Sequence, residues 1–258
     1  REYYPRNYDD QWHWRLIEKP FNTYLCASYL RRCDKIITVS DGLAREYARE
    51  FQVEPEVIMS MSAYQALQPV KMKTDKVRMI HHGRAGYSRK TEVMVKMMDY
   101  LDDRFSLDLM LLETKDIYWQ KIVSMVAGRK NVRLIPSVPM DEIIKFTNPY
   151  DIGLFLVPPT NFNLKYALPN KFFEYIQARL AIAIGPSIEM KKLVEKYDCG
   201  VVSHDFDPRS LADKLNKLSS EKIMTYKENS HRAAGELNAE ANKKRIVQIL
   251  GELDDVKR

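Results

Sequence analysis

The chain has 258 residues, of which 45% are hydrophobic and 29% charged, and its formal net charge is +6. This composition is typical of a globular protein, so it excludes a disordered chain, a collagen-like repeat and a disulfide scaffold. No apolar run approaches the roughly 18 residues of a membrane span. The basic excess is spread along the chain and fits small anions, membrane surfaces or nucleic acid. Three cysteines in no metal-binding spacing indicate a reducing cytoplasm.

The first 66 residues carry an incomplete α/β pattern. A helix is predicted over 12–32, a strand over 35–40, a helix from the cap Ser40 to about residue 51, and a further strand after Pro55. One and a half βα units cannot bury a sheet alone. We therefore expect residues 1–66 to be the tail of a second α/β domain, in a chain that is a piece of something longer. Residues 64–76 are the predicted linker.

Short apolar runs alternate with amphipathic stretches from residue 77 onward. Strands are predicted at 77–82, 105–113, 132–136, 151–157, 181–185 and 200–203. Helices are predicted at about 90–101, 116–127, after Pro139, at 169–179, from the cap Ser187, and then over 207–219, 220–233 and 237–252. Strands that are apolar throughout and separated by helices indicate a doubly wound parallel sheet, covered on both faces, in a Rossmann-like α/β domain.

The loop after the first of these strands, HHGRAGYSRK (81–90), concentrates glycines and cations. Gly83 and Gly86 allow tight turns, while Arg84, Arg89 and Lys90 bring three positive charges to one place. Ligands of parallel sheets bind at the carboxyl ends of the strands, where helix N-termini also point. We interpret the loop as a diphosphate site; the alternative is a solvated basic loop whose glycines serve only the turn.

A second loop, PPTNFNLKYALPNKFFEY (158–175), ends in a helix. Pro169 is predicted in the first helical turn, which would direct Asn170, Lys171 and Glu174 toward the cleft. Lys171 could meet a phosphate, and the Glu174 carboxylate could accept two hydrogen bonds from a ribose diol. Alternatively, Glu174 simply complements the helix dipole, and the residues leave both interpretations open.

Several other polar residues have a structural interpretation. The D-x-D pair of Asp205 and Asp207 is predicted to cap the following helix rather than hold a metal, and no metal site is expected. At the end of the first strand, His81 is predicted to be packed and hydrogen-bonded, whereas His82 would face the cleft. Glu189 is predicted to serve the N-terminus of its own helix.

Taken together, HHGRAGYSRK, LPNKFFEY and AIAIGPSIEM resemble the family 4 (group 1) glycosyltransferases of the two-domain GT-B fold. ITVSDGLAREY is similar to the sequence that ends their N-terminal domain. The resemblance implies a nucleotide-sugar domain at 67–235, preceded by the tail of the acceptor-side domain at 1–66. It further implies that residues 236–258 form a helix crossing back to the N-terminal part.

The family's roles transfer onto matching positions. Arg84 with Arg89 or Lys90 would neutralise the diphosphate, Glu174 would bind the ribose, and the backbone of residues 137–139 would receive the base. Tyr166 stands where the family often has a second glutamate, although some relatives carry the Y-x-L-P-N-K form. The predicted donor-binding residues are Gly83, Arg84, Arg89, Lys90, Val138, Pro139, Tyr166, Asn170, Lys171 and Glu174.

The resemblance implies a glycosyltransferase that moves a sugar from a UDP- or GDP-linked donor to a glycan or lipid-linked acceptor, in cell-surface polysaccharide biosynthesis. We expect retention of configuration, no cofactor beyond the donor, no nucleic-acid partner, and a cytoplasmic protein with peripheral contact at the inner face of the membrane. Two alternatives remain: a sugar-nucleotide 2-epimerase on the same fold, and a basic nucleotide- or nucleic-acid-binding domain without chemistry. The catalytic group is not predicted.

Overall fold

The computed structural model describes the backbone of residues 2–256 and the side chains of residues 2–252. The N-terminal part consists of a 3-10 helix (Tyr4–Arg6), α1 (Trp12–Leu16), α2 (Glu18–Tyr29), a 3-10 helix (Leu30–Arg32), β1 (Ile37–Thr38), α3 (Asp41–Phe51) and β2 (Glu56–Val57). β1 and β2 pair in parallel, with Ile37 opposite Glu56. The predicted strand over 35–40 is thus only two residues long, because β1 pairs with a single two-residue neighbour.

The single helix predicted over 12–32 is wrong, because the structure divides it at Ile17. Pro20 explains the break. A proline ring clashes with the carbonyl of the residue four positions earlier and offers no N–H, but it is tolerated in the first turn of a helix. The first helix therefore ends at Leu16, and Pro20 lies in the first turn of the second.

The C-terminal part is built on six parallel strands. They are β3 (Val77–Arg84), β4 (Phe105–Leu112), β5 (Val132–Ile135), β6 (Ile152–Phe155), β7 (Ala181–Ile184) and β8 (Gly200–Val202). Their order is β5-β4-β3-β6-β7-β8, the Rossmann order of strands. β3 and β6 are neighbours, with Met79 opposite Ile152, and the strand order reverses between them. A ligand crevice is expected at the carboxyl ends of these two strands.

Helices cover both faces of this sheet, which confirms the predicted doubly wound fold. They are α4 (Glu92–Met97), α5 (Ile117–Val126), α6 (Ile143–Thr147), α7 (Phe162–Lys165), α8 (Asn170–Gln177), α9 (Ile188–Tyr197), α10 (Pro208–Asn216), α11 (Ser220–Glu236) and α12 (Ala239–Val256). Alternate strand residues pack on opposite faces: Met79 and Leu107 join the core under α4, α5 and α10, whereas Ile80 and Met110 join the core under α6, α8 and α9. α4 is shorter than the helix predicted over 90–101.

Two connections join the N-terminal and C-terminal parts. The first is the stretch between β2 and β3, which is held by the wholly buried side chain of Arg179. Its Nη2 and Nε donate to the carbonyls of Gln65 (2.5 Å) and Leu67 (3.2 Å). The second is α12, where Lys35 of the N-terminal part and Glu252 form an ion pair of 2.7 Å. Across residues 2–256, none of the helices combines the length and the apolar character that crossing a membrane requires.

The predicted helix caps have mixed outcomes. Asp207 caps α10 as predicted and accepts a hydrogen bond of 2.8 Å from the backbone N–H of Arg209. Ser40 and Ser187 occupy N-cap positions, but neither side chain accepts a bond from its helix. Pro169 is the N-cap of α8 and not part of its first turn, because its backbone is extended (ψ 151°).

Candidate functional site

A cavity of about 490 Å³ lies at the carboxyl ends of β3 and β6, where the strand order reverses. This volume falls within the range of small-molecule sites. The β3–α4 loop, the segment from Asn161 to Lys171 and Asp116 form its C-terminal wall. Six residues of the N-terminal part complete the enclosure: Glu2, Asn7, Tyr8, Val39, Leu43 and Ser60.

The β3–α4 loop places two of the predicted cations on the cavity wall. Arg84 and Arg89 both line the cavity. Loss of hydration in the cleft and the charge of Arg84 lower the pKa of the Arg89 guanidinium. Lys90 follows in a left-handed conformation (φ 48°) and is not among the cavity-lining residues. The mutual repulsion of Arg84 and Arg89 indicates a site that favours an anion.

Lys171 is the third cation of the site and the only buried one of the three. Its Nζ donates a 2.5 Å hydrogen bond to the carbonyl of His82 and lies 5.4 Å from the centre of the Phe155 ring. Burial, together with the charge of Arg89, lowers the pKa of Lys171 to about 7, and Glu174 opposes this shift. An anion bound in the cavity would restore the charge of this lysine.

Gly83 gives Lys171 its space. The backbone φ of Gly83 is +121°, a conformation that side chains rarely adopt, and a Cβ there would lie 2.8 Å from Nζ of Lys171. Gly83 does not line the cavity, but its lack of a side chain leaves room for Nζ of Lys171, which does belong to the site.

The prediction for the two histidines is wrong in orientation. α8 packs over the face of β3 that carries Ile80 and His82, and the ring of Tyr175 meets His82 edge-on at 5.1 Å. His82 is therefore covered, and His81 lines the cavity instead. The predicted packing bond of His81 is present, because its Nδ1 lies 2.8 Å from the carbonyl of Leu154. Burial lowers the pKa of His82 to about 3, so this ring is neutral.

Glu174 lies beside His82 and is not among the cavity-lining residues. One carboxylate oxygen, Oε2, is 3.3 Å from Nε2 of His82, and burial raises the pKa of Glu174. The sequence left two roles open for Glu174, a ligand of the ribose or a partner of the helix dipole. The contact with His82 does not decide between these two roles. The ribose role stays a prediction.

The predicted residues Tyr166 and Asn170 line the cavity, and Tyr166 also contacts the N-terminal part. Its carbonyl accepts a 3.1 Å hydrogen bond from Oγ of Ser40, and its ring lies so close to Gly42 that a Cβ there would overlap it. Glu189 lies in the first turn of its own helix, α9, as predicted, and its Oε1 also accepts a 2.9 Å bond from the N–H of Gly42. It thereby satisfies a free N–H in the first turn of α3.

Val138 and Pro139, predicted to receive the base, are not among the residues that line the cavity. Val138 packs against the core under α6 and α8, and the carbonyl of Pro139 accepts a 3.0 Å bond from the N–H of Glu142. Their contact with a base stays a prediction. The sequence analysis did not place six further cavity residues, because no local pattern shows that residues this distant meet: Asn7, Tyr8, Val39, Leu43, Ser60 and Asp116.

The two D-x-D carboxylates take part in local turn bonding. Oδ1 of Asp205 accepts from the N–H of Asp207 at 3.0 Å, and Asp207 caps α10. Among the residues that the structure describes, no three His, Cys, Asp or Glu side chains come together as metal ligands would.

Comparison with known proteins identifies the fold. No protein-family model matches the sequence, and no curated protein matches it. Solved structures do match. TarM from S. aureus, solved with fondaparinux, alpha-GlcNAc-glycerol and UDP, is 11% identical with a TM-score of 0.69, over 90% of this chain and 46% of TarM. HepE from Anabaena, solved with UDP-glucose, is 12% identical with a TM-score of 0.73, over 90% of this chain and 68% of HepE.

Sucrose-phosphate synthase from Thermosynechococcus elongatus is 13% identical with a TM-score of 0.76, over 94% of this chain and 64% of that enzyme. The chain thus spans about half the length of TarM and about two thirds of the other two. The fold is that of the GT-B glycosyltransferases, as predicted. Membership of family 4 stays a prediction.

Proposed function

We propose that this chain is the donor-binding part of a glycosyltransferase that uses a nucleoside-diphosphate sugar. One observation carries the proposal: Arg84, Arg89 and Lys171 converge on one cavity at the point where the strand order reverses. Two guanidinium groups and a lysine with a lowered pKa form a site with excess positive charge. A diphosphate supplies the negative charge that this arrangement favours.

The same cations would assist the chemistry. In the transfer, the bond between the sugar C1 and the diphosphate oxygen breaks, its electron pair stays on the diphosphate, and C1 forms a bond to an acceptor hydroxyl oxygen. The hydroxyl proton passes to the departing phosphate oxygen when the acceptor attacks from the leaving-group side, which retains configuration. Arg84, Arg89 and Lys171 would stabilise the charge that grows on the leaving group. This route needs no metal and no cofactor beyond the donor.

We further propose a UDP- or GDP-linked donor and a glycan or lipid-linked acceptor in cell-surface polysaccharide biosynthesis. TarM and HepE, both solved with UDP or UDP-glucose, make the uridine donor the first choice. A cytoplasmic location with peripheral contact at the inner face of the membrane is part of the proposal. The exposed Trp12, Ile17 and Phe21 support that contact, because aromatic and aliphatic side chains beside basic residues favour a bilayer interface.

Calorimetric titration with UDP, GDP, ADP and NAD at two salt concentrations tests the proposal. We expect selective binding of one diphosphate, weakened at least about tenfold in Arg89→Ala, the loss of one charge-assisted contact. Lys96→Ala, which removes an exposed cation outside the cavity, is the matched control for net charge. Equal affinity for all four nucleotides, or binding that disappears at moderate salt, would instead indicate the basic binding domain. Release of free or epimerised sugar without an acceptor would indicate the epimerase.

A further inference from the structure

His81 lines the cavity, and its side chain makes a single hydrogen bond to the residues that the structure describes. Nδ1 lies 2.8 Å from the carbonyl oxygen of Leu154 on β6. A carbonyl oxygen can only accept a hydrogen bond, so Nδ1 carries the hydrogen of this pair. A neutral imidazole has one N–H, and its other nitrogen is an acceptor. The bond to β6 therefore leaves Nε2 of His81 as a nitrogen with a free lone pair.

The ring of His81 stays neutral inside the protein. Burial is the main cause that lowers the pKa of His81 well below its usual range, and the charge of Lys171 lowers it further. His82 and Arg89 act in the same direction, whereas the bond to the Leu154 carbonyl opposes them. A ligand that enters the cavity therefore meets the neutral ring, with its hydrogen on Nδ1.

Nε2 of His81 is open to the cavity. On the opposite side of β3, Nε2 of His82 is sealed from solvent beside Glu174, whereas Nε2 of His81 is not sealed. The open space beside the His81 ring is the cavity that this ring lines. The two neighbouring histidines thus differ in function, because a ligand can reach only the acceptor nitrogen of His81.

The chemistry of Nε2 decides which part of a ligand it can contact. Arg84, Arg89 and Lys171 are hydrogen-bond donors, and they pair with phosphate oxygens, which accept. The diphosphate of a nucleotide sugar carries no hydrogen at neutral pH, so it cannot pair with the lone pair of Nε2. Nε2 requires a ligand group that donates. Because the charge of Lys171 reaches His81, that group would be bound close to the diphosphate.

Two parts of a nucleoside-diphosphate sugar adjoin the diphosphate, the ribose and the transferred sugar, and both carry hydroxyl groups. We propose that His81 is a specificity-determining residue, which accepts through Nε2 a hydrogen bond from a hydroxyl of one of these two sugars. The inference rests on the proposed function and adds a contact that selects the donor. A donor without this hydroxyl would leave Nε2 unpaired and would be rejected for that reason.

His81→Asn separates the contact with the ligand from the contact with the fold. The amide nitrogen of asparagine can replace Nδ1 as the donor to the Leu154 carbonyl, but the shorter side chain has no atom at the position of Nε2. In calorimetric titration with UDP-glucose, we expect this variant to bind about three- to tenfold more weakly, the loss of one neutral hydrogen bond. His204→Asn, which changes an exposed histidine outside the cavity, is the matched control and should bind like the wild type.

Further ligands show which sugar provides the hydroxyl. A loss of affinity for UDP and UDP-glucose alike assigns it to the ribose, whereas a loss for UDP-glucose alone assigns it to the transferred sugar. UDP-glucose analogues with fluorine in place of one hydroxyl, and 2′- and 3′-deoxy-UDP, test the direction of the bond, because fluorine cannot donate. The analogue that lacks the partner hydroxyl should bind the wild type about three- to tenfold more weakly than its parent. It should bind the wild type and His81→Asn equally well.

The proposal is overturned if His81→Asn binds UDP and UDP-glucose as tightly as His204→Asn does. It is also overturned if the variant loses the same affinity for every analogue, since the loss would then come from the packing of the ring. If every analogue binds the wild type as tightly as its parent, the proposal fails without any variant, so a variant that does not fold leaves the test intact. A wild type that binds no nucleotide would overturn the proposed function itself, which is a separate result.

Discussion

Replacing Lys171 by methionine separates the binding role of this residue from its effect on stability. Lowering the pKa of a lysine from 10.5 to about 7 corresponds to about 5 kcal/mol for charging it inside the folded protein. The 2.5 Å bond to the His82 carbonyl only partly offsets that cost. Methionine has a similar volume and carries no charge. We therefore expect Lys171→Met to keep or raise the free energy of unfolding, by up to about 1–4 kcal/mol, as when other buried charges are replaced.

Donor affinity should change in the opposite direction. A diphosphate bound beside Lys171 recharges it and gains a charge-assisted hydrogen bond worth about 1.5–3 kcal/mol. Lys171→Met should therefore weaken UDP binding by roughly 10- to 150-fold near pH 7. Calorimetric titration and thermal unfolding of the same preparation measure the two effects. Lys165→Met is the control, because Lys165 is an exposed lysine near the cavity that does not line it.

Three results would refute the reasoning. If Lys171→Met binds UDP as tightly as the Lys165→Met control, the diphosphate does not lie at Lys171. If Lys171→Met unfolds at a markedly lower temperature than wild type, the buried charge of Lys171 stabilises the fold. Burial would then not make that charge unfavourable, as the lowered pKa of Lys171 implies. A fall in affinity together with a fall in stability would also contradict the prediction, since it would make the binding effect secondary to damage.

UDP affinity should be constant below about pH 7 and fall as the pH rises above it, because the free protein then loses the Lys171 proton that binding must restore. Calorimetric titrations across pH 6–9 check this, and the dependence of UDP affinity on pH should be weaker in Lys171→Met. Between about pH 7 and 10.5 the unfolded chain holds this proton and the folded chain does not, so the wild type should gain stability with pH relative to that variant. Glu174→Ala should weaken UDP binding by about 1–3 kcal/mol in calorimetry, and an unchanged affinity would mean that the ribose assignment is wrong. Gly42→Ala should lower the free energy of unfolding by about 1–3 kcal/mol, because the new methyl group overlaps the Tyr166 ring. Gly235→Ala should raise the free energy of unfolding by up to about 1 kcal/mol, because its methyl group meets open space in α11. Chemical denaturation of the two variants measures both effects.

The sheet could be predicted from the sequence because its strands are apolar on both faces. Runs such as residues 105–112 and 181–184 are bounded by turns and separated by helices, and each became a strand within one or two residues of its predicted ends. Pro20, which explains the break at Ile17, is also visible in the sequence, but residues 12–32 were nevertheless predicted to form one helix. The short strand Ile37–Thr38 was over-predicted, because apolar residues do not reveal how many neighbours a strand will have.

The candidate site was only partly predictable. Arg84, Arg89 and Lys171 follow from local rules, since cations in loops after parallel strands meet at one edge of the sheet. Asn7 carries no local signal, because its place in the cavity depends on Asn163, 156 residues further along the chain. The second contact of Glu189 was missed for the same reason: its position in its own helix was predicted, but the N–H that it accepts from belongs to α3.

The loop between β6 and α8 couples the cavity to the contact between the two parts of the chain. Phe162 lies in the aromatic core of the N-terminal part, and eight residues later Asn170 lines the cavity. Tyr166, midway between them, does both, with its ring against Gly42 and the cavity beside it. If the donor binds this cavity as proposed, a substitution at Gly42 that shifts the Tyr166 ring should change donor affinity as well as stability, because the same side chain packs against Gly42 and lines the cavity.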